Sequence, residues 1–81
     1  MIEDLNKSLS EYLKLLRFKH KKSQEETAML LNISRNTYTI WENNPIALSL
    51  ENILKIGKVL DEDIIIFFKE YVAKSNDKNK N

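Results

Sequence analysis

Two helix-start signals stand eleven positions apart in this chain, at Ser23 and Ser34, and they leave the residues between them few choices. Ser23-Gln24-Glu25-Glu26 has the form of a capping box. The Ser23 hydroxyl can accept from the amide three residues on, and Glu26 can reach back to the Ser23 amide. Ala28, Leu30 and Leu31 then supply the inward side of one short helix. Leu31-Asn32-Ile33 reads as a turn, because Asn is one of the few non-Gly residues that tolerates a left-handed backbone. Ser34 is a second N-cap, and Arg35 to Asn43 forms a second helix. Tyr38 and Trp41 are three apart, share a face and are expected in the core. The other face carries Arg35, Asn36, Thr37, Thr39 and Ile40. A helix with Arg, Asn and Thr along its outer side is suited to recognition.

The chain is 81 residues long, enough for one small domain. It has no cysteine, which excludes disulfides and thiolate metal sites, and its single histidine, His20, cannot build a metal site alone. His20 is expected at the surface rather than as a pH sensor. One Gly and one Pro, with abundant Lys, Leu, Ile and Glu, point to an all-α fold. No apolar run approaches the length of a membrane span, and the start lacks the pattern of a signal peptide, so a cytoplasmic protein is expected. The net charge of +1 advertises no acidic partner. Its distribution does. Lys14, Arg17, Lys19, Lys21 and Lys22 follow one another with no acid among them, whereas Asp61-Glu62-Asp63 sits far along the chain. An ordinary solvated face is the plainer alternative.

The flanking segments are helical too. Ile2, Leu5, Leu9, Tyr12, Leu13 and Leu16 fall at helical spacing, which predicts a helix from residue 2 or 3 to about Phe18; Ser8-x-x-Glu11 offers a competing start. Asn44 to Leu48 reads as a loop, with Asn44 as a left-handed cap and Pro45 preventing continuation. Ser49 caps a fourth helix with an inward stripe of Leu50, Ile53, Leu54, Gly57 and Leu60. Gly57 signals either close helix packing or drift. A fifth helix starts at Asp63. Its run Ile64-Ile65-Ile66-Phe67-Phe68 covers more than one helical face. Ile64 and Phe67 can close the core, leaving Ile65, Ile66, Phe68 and Tyr71 as an apolar surface suited to a second copy of the chain. The alternative is a core helix wrapped on more sides. Residues 1–75 thus read as one domain, and 76–81 as a polar, disordered tail.

Gln24 and Ala28, the turn Asn32-Ile33-Ser34, Tyr38, and Trp41-Glu42-Asn43 stand in the order and spacing of a known motif. Upstream Leu13 to Arg17 (LKLLR) and downstream Leu50 to Leu60 (LENILKIGKVL) extend the match. The chain resembles the phage repressor and Cro-like regulators, the XRE-type helix-turn-helix family, over about residues 10–68. The resemblance implies a five-helix, lambda-repressor-like DNA-binding domain with its helix-turn-helix at helices 2 and 3. Two departures are visible: Asn44 stands where the family usually has Gly, and Thr27 where it usually has Leu. The second removes apolar volume from a position expected to be buried.

Residue roles follow from the resemblance. Gln24 matches a phosphate-clamping position, and helix N-termini favour anions. Arg35, Asn36 and Thr37 lie in the first turn of the recognition helix, the end that enters the major groove. Arg can pair with guanine O6 and N7, and Asn with adenine N6 and N7. Ser34 can combine capping with a phosphate contact; Thr39 lies further along, and Ile40 would meet a thymine methyl unless it packs inward. Asn43 matches a phosphate position, and Lys19 and Lys22, with Lys14 and Lys21, are phosphate candidates. Arg17 and Glu42 match an ion pair that joins helix 1 to the end of the recognition helix, so both are expected to be structural.

The expected function is therefore a DNA-binding transcriptional regulator that binds an inverted-repeat operator on double-stranded DNA as a homodimer, with no cofactor and no membrane partner. The acidic turn after helix 4 and the Phe-Phe pair in helix 5 resemble restriction–modification controller proteins; a phage or plasmid repressor fits equally. The rival from another class is an antitoxin or other protein-binding module that uses the apolar C-terminal helix. No nucleophile–base constellation is present to support an enzyme.

Overall fold

The structure is a computed structural model that describes the backbone over residues 2–79 and the side-chain surroundings over residues 4–75. Five α-helices follow in order among the described residues: α1 (Ile2–Lys19), α2 (Gln24–Leu31), α3 (Arg35–Asn43), α4 (Leu50–Val59) and α5 (Ile65–Asn79). A 3-10 turn, Pro45–Ala47, separates α3 from α4. No strand occurs among these residues, so the all-α, five-helix expectation holds. The polar tail expected from residue 76 lies partly in α5, which runs to Asn79, and partly outside the described residues.

Local chemistry explains the starts. The capping box is complete: the Glu26 amide donates to Ser23 Oγ at 3.0 Å and the Ser23 amide to Glu26 Oε1 at 3.0 Å. Ser34 and Ser49 cap α3 and α4 through the amides of Thr37 (3.1 Å) and Asn52 (3.2 Å). α1 runs through Ser8 to Ile2, so the Ser8–Glu11 start is not used. α5 begins at Ile65 rather than Asp63, with Asp63 Oδ1 accepting from the Ile65 amide at 3.1 Å.

Three helix exits share one design. α1, α2 and α4 end through left-handed residues at Lys21 (φ 54°), Asn32 (φ 63°) and Asp61 (φ 57°). At each, the next amide reaches back to close the turn: Lys22 to the Arg17 carbonyl, Ile33 to Ala28, and Glu62 to Gly57. This is the Schellman arrangement, made here without glycine at the left-handed site. Asn44 does not join them. Its φ of −139° is not left-handed, contrary to expectation. Instead, Pro45 is buried at the start of the 3-10 turn, and the Ile46 amide donates to Asn6 Oδ1 on α1 at 3.0 Å. A tertiary contact thus supplies what a cap residue was expected to provide.

The core gathers Leu9, Leu13 and Leu16 of α1, Ala28 of α2, Tyr38 of α3, Ile53, Ile56 and Leu60 at the α4 end, and Ile64. Full burial of each Leu or Ile contributes about 1.5–3 kcal/mol. Two inward stripes differ from those expected. In α2, Ala28 and Leu31 face inward as expected, with Thr27 beside them, but Leu30 is 54% exposed. Thr27 is fully buried without a stranded hydroxyl, because its Oγ1 donates to the Ser23 carbonyl at 2.9 Å. In α4, Leu50 and Leu54 lie outside and Ile56 inside. Gly57 is a close-packing residue: a Cβ there would stand 2.9 Å from the Glu62 carbonyl oxygen and 3.3 Å from Ile64. Aromatic contacts fasten α5 to α1, with the Tyr12 and Phe67 rings 4.8 Å apart.

Candidate nucleic-acid interface

α3 divides lengthwise. Tyr38 and Glu42, one turn apart, are fully buried, and Trp41 packs beside the core. Arg35, Asn36, Ile40 and Asn43 are exposed. Asn36, Ile40 and Asn43 follow at helical spacing along one ridge, with Arg35 beside them at the N-terminal end. Ile40 is 67% exposed, so it points outward rather than packing.

The buried half is organised by one carboxylate. Arg17 reaches Glu42 with two parallel bonds, Nε to Oε2 at 2.6 Å and Nη2 to Oε1 at 2.8 Å. The Tyr38 hydroxyl donates to Oε2 at 2.7 Å, and Gln24 Nε2 to Oε1 at 3.2 Å. Arg17 Nη1 also donates to the Lys22 carbonyl at 3.1 Å. One ion pair therefore ties α1, the α1–α2 link, the start of α2 and the end of α3. Burial pushes the Glu42 carboxyl up, but the hydrogen bonds from Arg17, Tyr38 and Gln24 outweigh it and hold the group below its ordinary range. The bond to Glu42 raises Arg17, against the smaller effect of its own burial. Burial first, and then the bond to Glu42, drive the Tyr38 phenol far up, so it stays a donor.

Several recognition candidates are already engaged within the protein. Gln24 is half-buried, and its Oε1 accepts from Thr39 Oγ1 at 3.0 Å. Thr39 Oγ1 also lies 3.0 Å from the Arg35 carbonyl. Ser34 Oγ donates to Thr37 Oγ1 at 2.9 Å while capping the Thr37 amide. Thr37 keeps its own hydroxyl hydrogen for an outside acceptor. The side chains of Arg35 and Asn36 take part in none of these bonds.

A short helix with a braced inner half and an exposed Arg-Asn-Ile-Asn ridge, preceded by a left-handed turn and a second capped helix, is the frame of a helix-turn-helix. Residues 13–67, more than half of the chain, match the family model described as Helix-turn-helix. The chain belongs to the Cro-like helix-turn-helix family. Its members are DNA-binding transcriptional regulators, and so is this chain. No curated protein and no solved structure gives a match.

In this helix-turn-helix protein the basic stretch that runs from the end of α1 toward α2 is only partly open. Lys19 Nζ sits 2.7 Å from Glu62 Oε1, in the turn between α4 and α5, and His20 Nε2 sits 3.1 Å from the same oxygen. Lys22 is half-buried, while Lys21 is exposed. The apolar residues of α5 divide as well. Ile65 and Ile66 are 38% and 50% exposed, and Val72, not singled out in the sequence, is 55% exposed. Phe68 packs against the core, and Tyr71 is half-buried, with its hydroxyl 3.3 Å from Asp4 Oδ2 on α1. No helix among the described residues is long and apolar enough to cross a membrane.

Sequence reasoning missed two partners. Tyr38 was expected only as core bulk, although its spacing of four from Glu42 is the helical spacing at which a hydroxyl can meet a carboxylate. Glu62 was read only as part of an acidic turn. Nothing in the sequence pairs it with Lys19 and His20, more than forty positions away.

Proposed function

We propose that the protein binds an inverted-repeat DNA operator as a homodimer, with the N-terminal part of α3 in the major groove. The observation that carries this is the division of α3: Arg35 and Asn36 are exposed at the capped end of a helix whose other side is locked to α1 and α2. Arg35 is then placed to pair with guanine and Asn36 with adenine, each discriminating by about 1–3 kcal/mol. Ile40 offers a methyl contact to thymine. Gln24, Ser34, Thr37, Asn43, Lys19 and Lys22 contact phosphates or border the groove, and phosphate contacts supply most of the affinity. Half-site centres fall about one helical turn apart.

Dimerisation is proposed through α5. Ile65, Ile66 and Val72 are apolar and exposed, and Phe68 and Tyr71 border them. Two contexts fit such a regulator, a restriction–modification controller and a phage or plasmid repressor.

The test is selection of bound duplexes from a random pool, run beside Arg35→Ala/Asn36→Ala. Wild type is expected to enrich an inverted repeat that the variant no longer selects. Failure of folded wild type to enrich any sequence sinks this function. Sedimentation of wild type beside Ile66→Glu tests the dimer: a dimer turned monomer is the expected result. A wild-type monomer with no enrichment moves the weight to the protein-binding module, with the exposed side of α5 as its grip.

A further inference from the structure

The bonds around Gln24 point to a role for Thr39 that its place on the outer side of α3 does not suggest. The Glu42 carboxylate has about four lone-pair directions, and Arg17 takes two, Tyr38 one and Gln24 one. An ionised carboxylate only accepts. Gln24 must therefore turn its NH2 group toward it, since the opposite flip would set a carbonyl oxygen against a buried anion. That choice directs Gln24 Oε1 at Thr39, whose hydroxyl donates to it at 3.0 Å. Nε2 carries two hydrogens, and Glu42 uses one. The second is held in a defined direction at the first residue of α2 by bonds on both ends of the amide.

Aim matters here because charge does not help. Glu25 and Glu26 follow Gln24 directly and are both exposed, so the first turn of α2 has no net positive charge to offer an anion. A donor there must be placed by its neighbours. We propose that Thr39 is a positioning residue that reads no base: it fixes the Gln24 amide so that its second N–H meets one DNA phosphate. This rests on the DNA-binding mode proposed above and deepens it. Thr39 has a single hydroxyl hydrogen and two acceptors, Gln24 Oε1 and the Arg35 carbonyl, both at 3.0 Å. When a phosphate accepts from Gln24, the amide is polarised and its oxygen becomes the stronger acceptor. The hydroxyl then settles on Gln24, and the lock tightens as the phosphate binds.

The test measures binding of the selected duplex, and of its single-base variants, by wild type, Thr39→Val, Thr39→Ser, Gln24→Ala and the double variant Thr39→Val/Gln24→Ala. Thermal melts confirm folding of each. Thr39→Val keeps the shape and removes the donor. It is expected to weaken binding about threefold to tenfold, the scale of one hydrogen bond. The loss should be the same on every duplex, leaving the order of base preference unchanged. The salt dependence should also keep its slope, because a neutral amide displaces no counterion. Thr39→Ser should restore affinity, and the double variant should lose no more than Gln24→Ala alone. A Thr39→Val variant that changes preference at one base pair makes Thr39 a reader and overturns the proposal. So does a double variant whose losses multiply, or unchanged affinity of Thr39→Val where Arg35→Ala/Asn36→Ala has lost its selectivity. Folded wild type that retains no duplex overturns the DNA-binding mode and this proposal together.

Discussion

Arg17 and Lys19 stand two residues apart at the end of α1, and each finds a glutamate far along the chain. The distances barely differ: 2.6 Å from Arg17 Nε to Glu42 and 2.7 Å from Lys19 Nζ to Glu62. The surroundings differ greatly. The side chains of the first pair are 11% and 0% exposed, those of the second 64% and 20%. Arg17 meets its partner with a planar fork that a lysine cannot present, and Glu42 gains two further donors from Tyr38 and Gln24. Contact distance alone therefore ranks nothing. Removing one member of the buried pair strands a charge where water cannot reach it; removing one member of the exposed pair returns the other to water.

The sharpest way to break this contrast is Arg17→Ala. It leaves the Glu42 carboxylate buried against two neutral donors, and loss of one partner of a buried pair costs about 3–5 kcal/mol. A chain of this size holds only about 4–12 kcal/mol in total, so much of the domain's stability would go. Urea denaturation should show a large fall in the midpoint. Acid should act in the same direction. The folded Glu42 carboxyl lies below its ordinary value of 4.5, so the pair's contribution is complete above that value. It is lost as pH falls through the lower folded value. Wild type should weaken over that acid range, and Arg17→Ala should show less of this dependence.

Tyr38→Phe is a finer probe of the same buried site. It keeps the ring and removes one donor from Glu42, the 2.7 Å bond to Oε2. A hydrogen bond to a charged group is worth about 1.5–3 kcal/mol. The denaturation midpoint should fall by a corresponding amount, while the Arg17–Glu42 fork survives. If the phenol contributed only bulk, the variant would match wild type.

Gly57→Ala moves to the other end of the comparison, the turn that presents Glu62. That turn is held by backbone: the Glu62 amide donates to the Gly57 carbonyl at 2.8 Å, and an added Cβ would meet the Glu62 carbonyl at 2.9 Å. Overpacking typically costs about 1–3 kcal/mol, against about 1 kcal/mol gained in helix propensity. A net loss of up to about 2 kcal/mol is expected, read from the denaturation midpoint. A stabilised variant would mean that the turn shifts freely and that the approach at Gly57 is not constraining.

These residues also mark where the fold and site were legible in the sequence. Ser23, Ser34, Ser49 and Asn32 announce their roles because caps act on backbone groups within three residues. Helix identity follows from period, and Leu9, Leu13 and Leu16 kept theirs. The facing of the short helices was less readable. An eight-residue helix with Ala28, Met29, Leu30 and Leu31 in a row offers apolar groups to most directions, and its neighbours decide that Thr27 turns in and Leu30 out. The same holds for Leu50 and Leu54. Asn44 failed as a left-handed cap because Asn6, thirty-eight positions earlier, helps to hold the turn that follows it. The exposed ridge of α3 could be named from one helix alone, but the Gln24–Thr39–Glu42 connections join two helices and have no period to reveal them.

The smallest effect expected is the one that completes the contrast. Glu62→Gln removes the charge facing Lys19 and His20 and keeps the backbone bond to Gly57. Hydrogen bonds from Lys19, and then from His20, hold the Glu62 carboxyl below its ordinary value, so the wild-type attraction is present at neutral pH and fades toward acid. In an exposed setting that attraction is screened, and the denaturation midpoint should hardly move, least of all at high salt. Duplex affinity should instead rise at low salt for every sequence alike, because Lys19 is released toward phosphate and one acidic charge is gone. A Glu62→Gln variant as destabilised as Tyr38→Phe would show that water does not separate the two pairs. The α1–α2 link would then depend on Glu62 as α3 depends on Arg17.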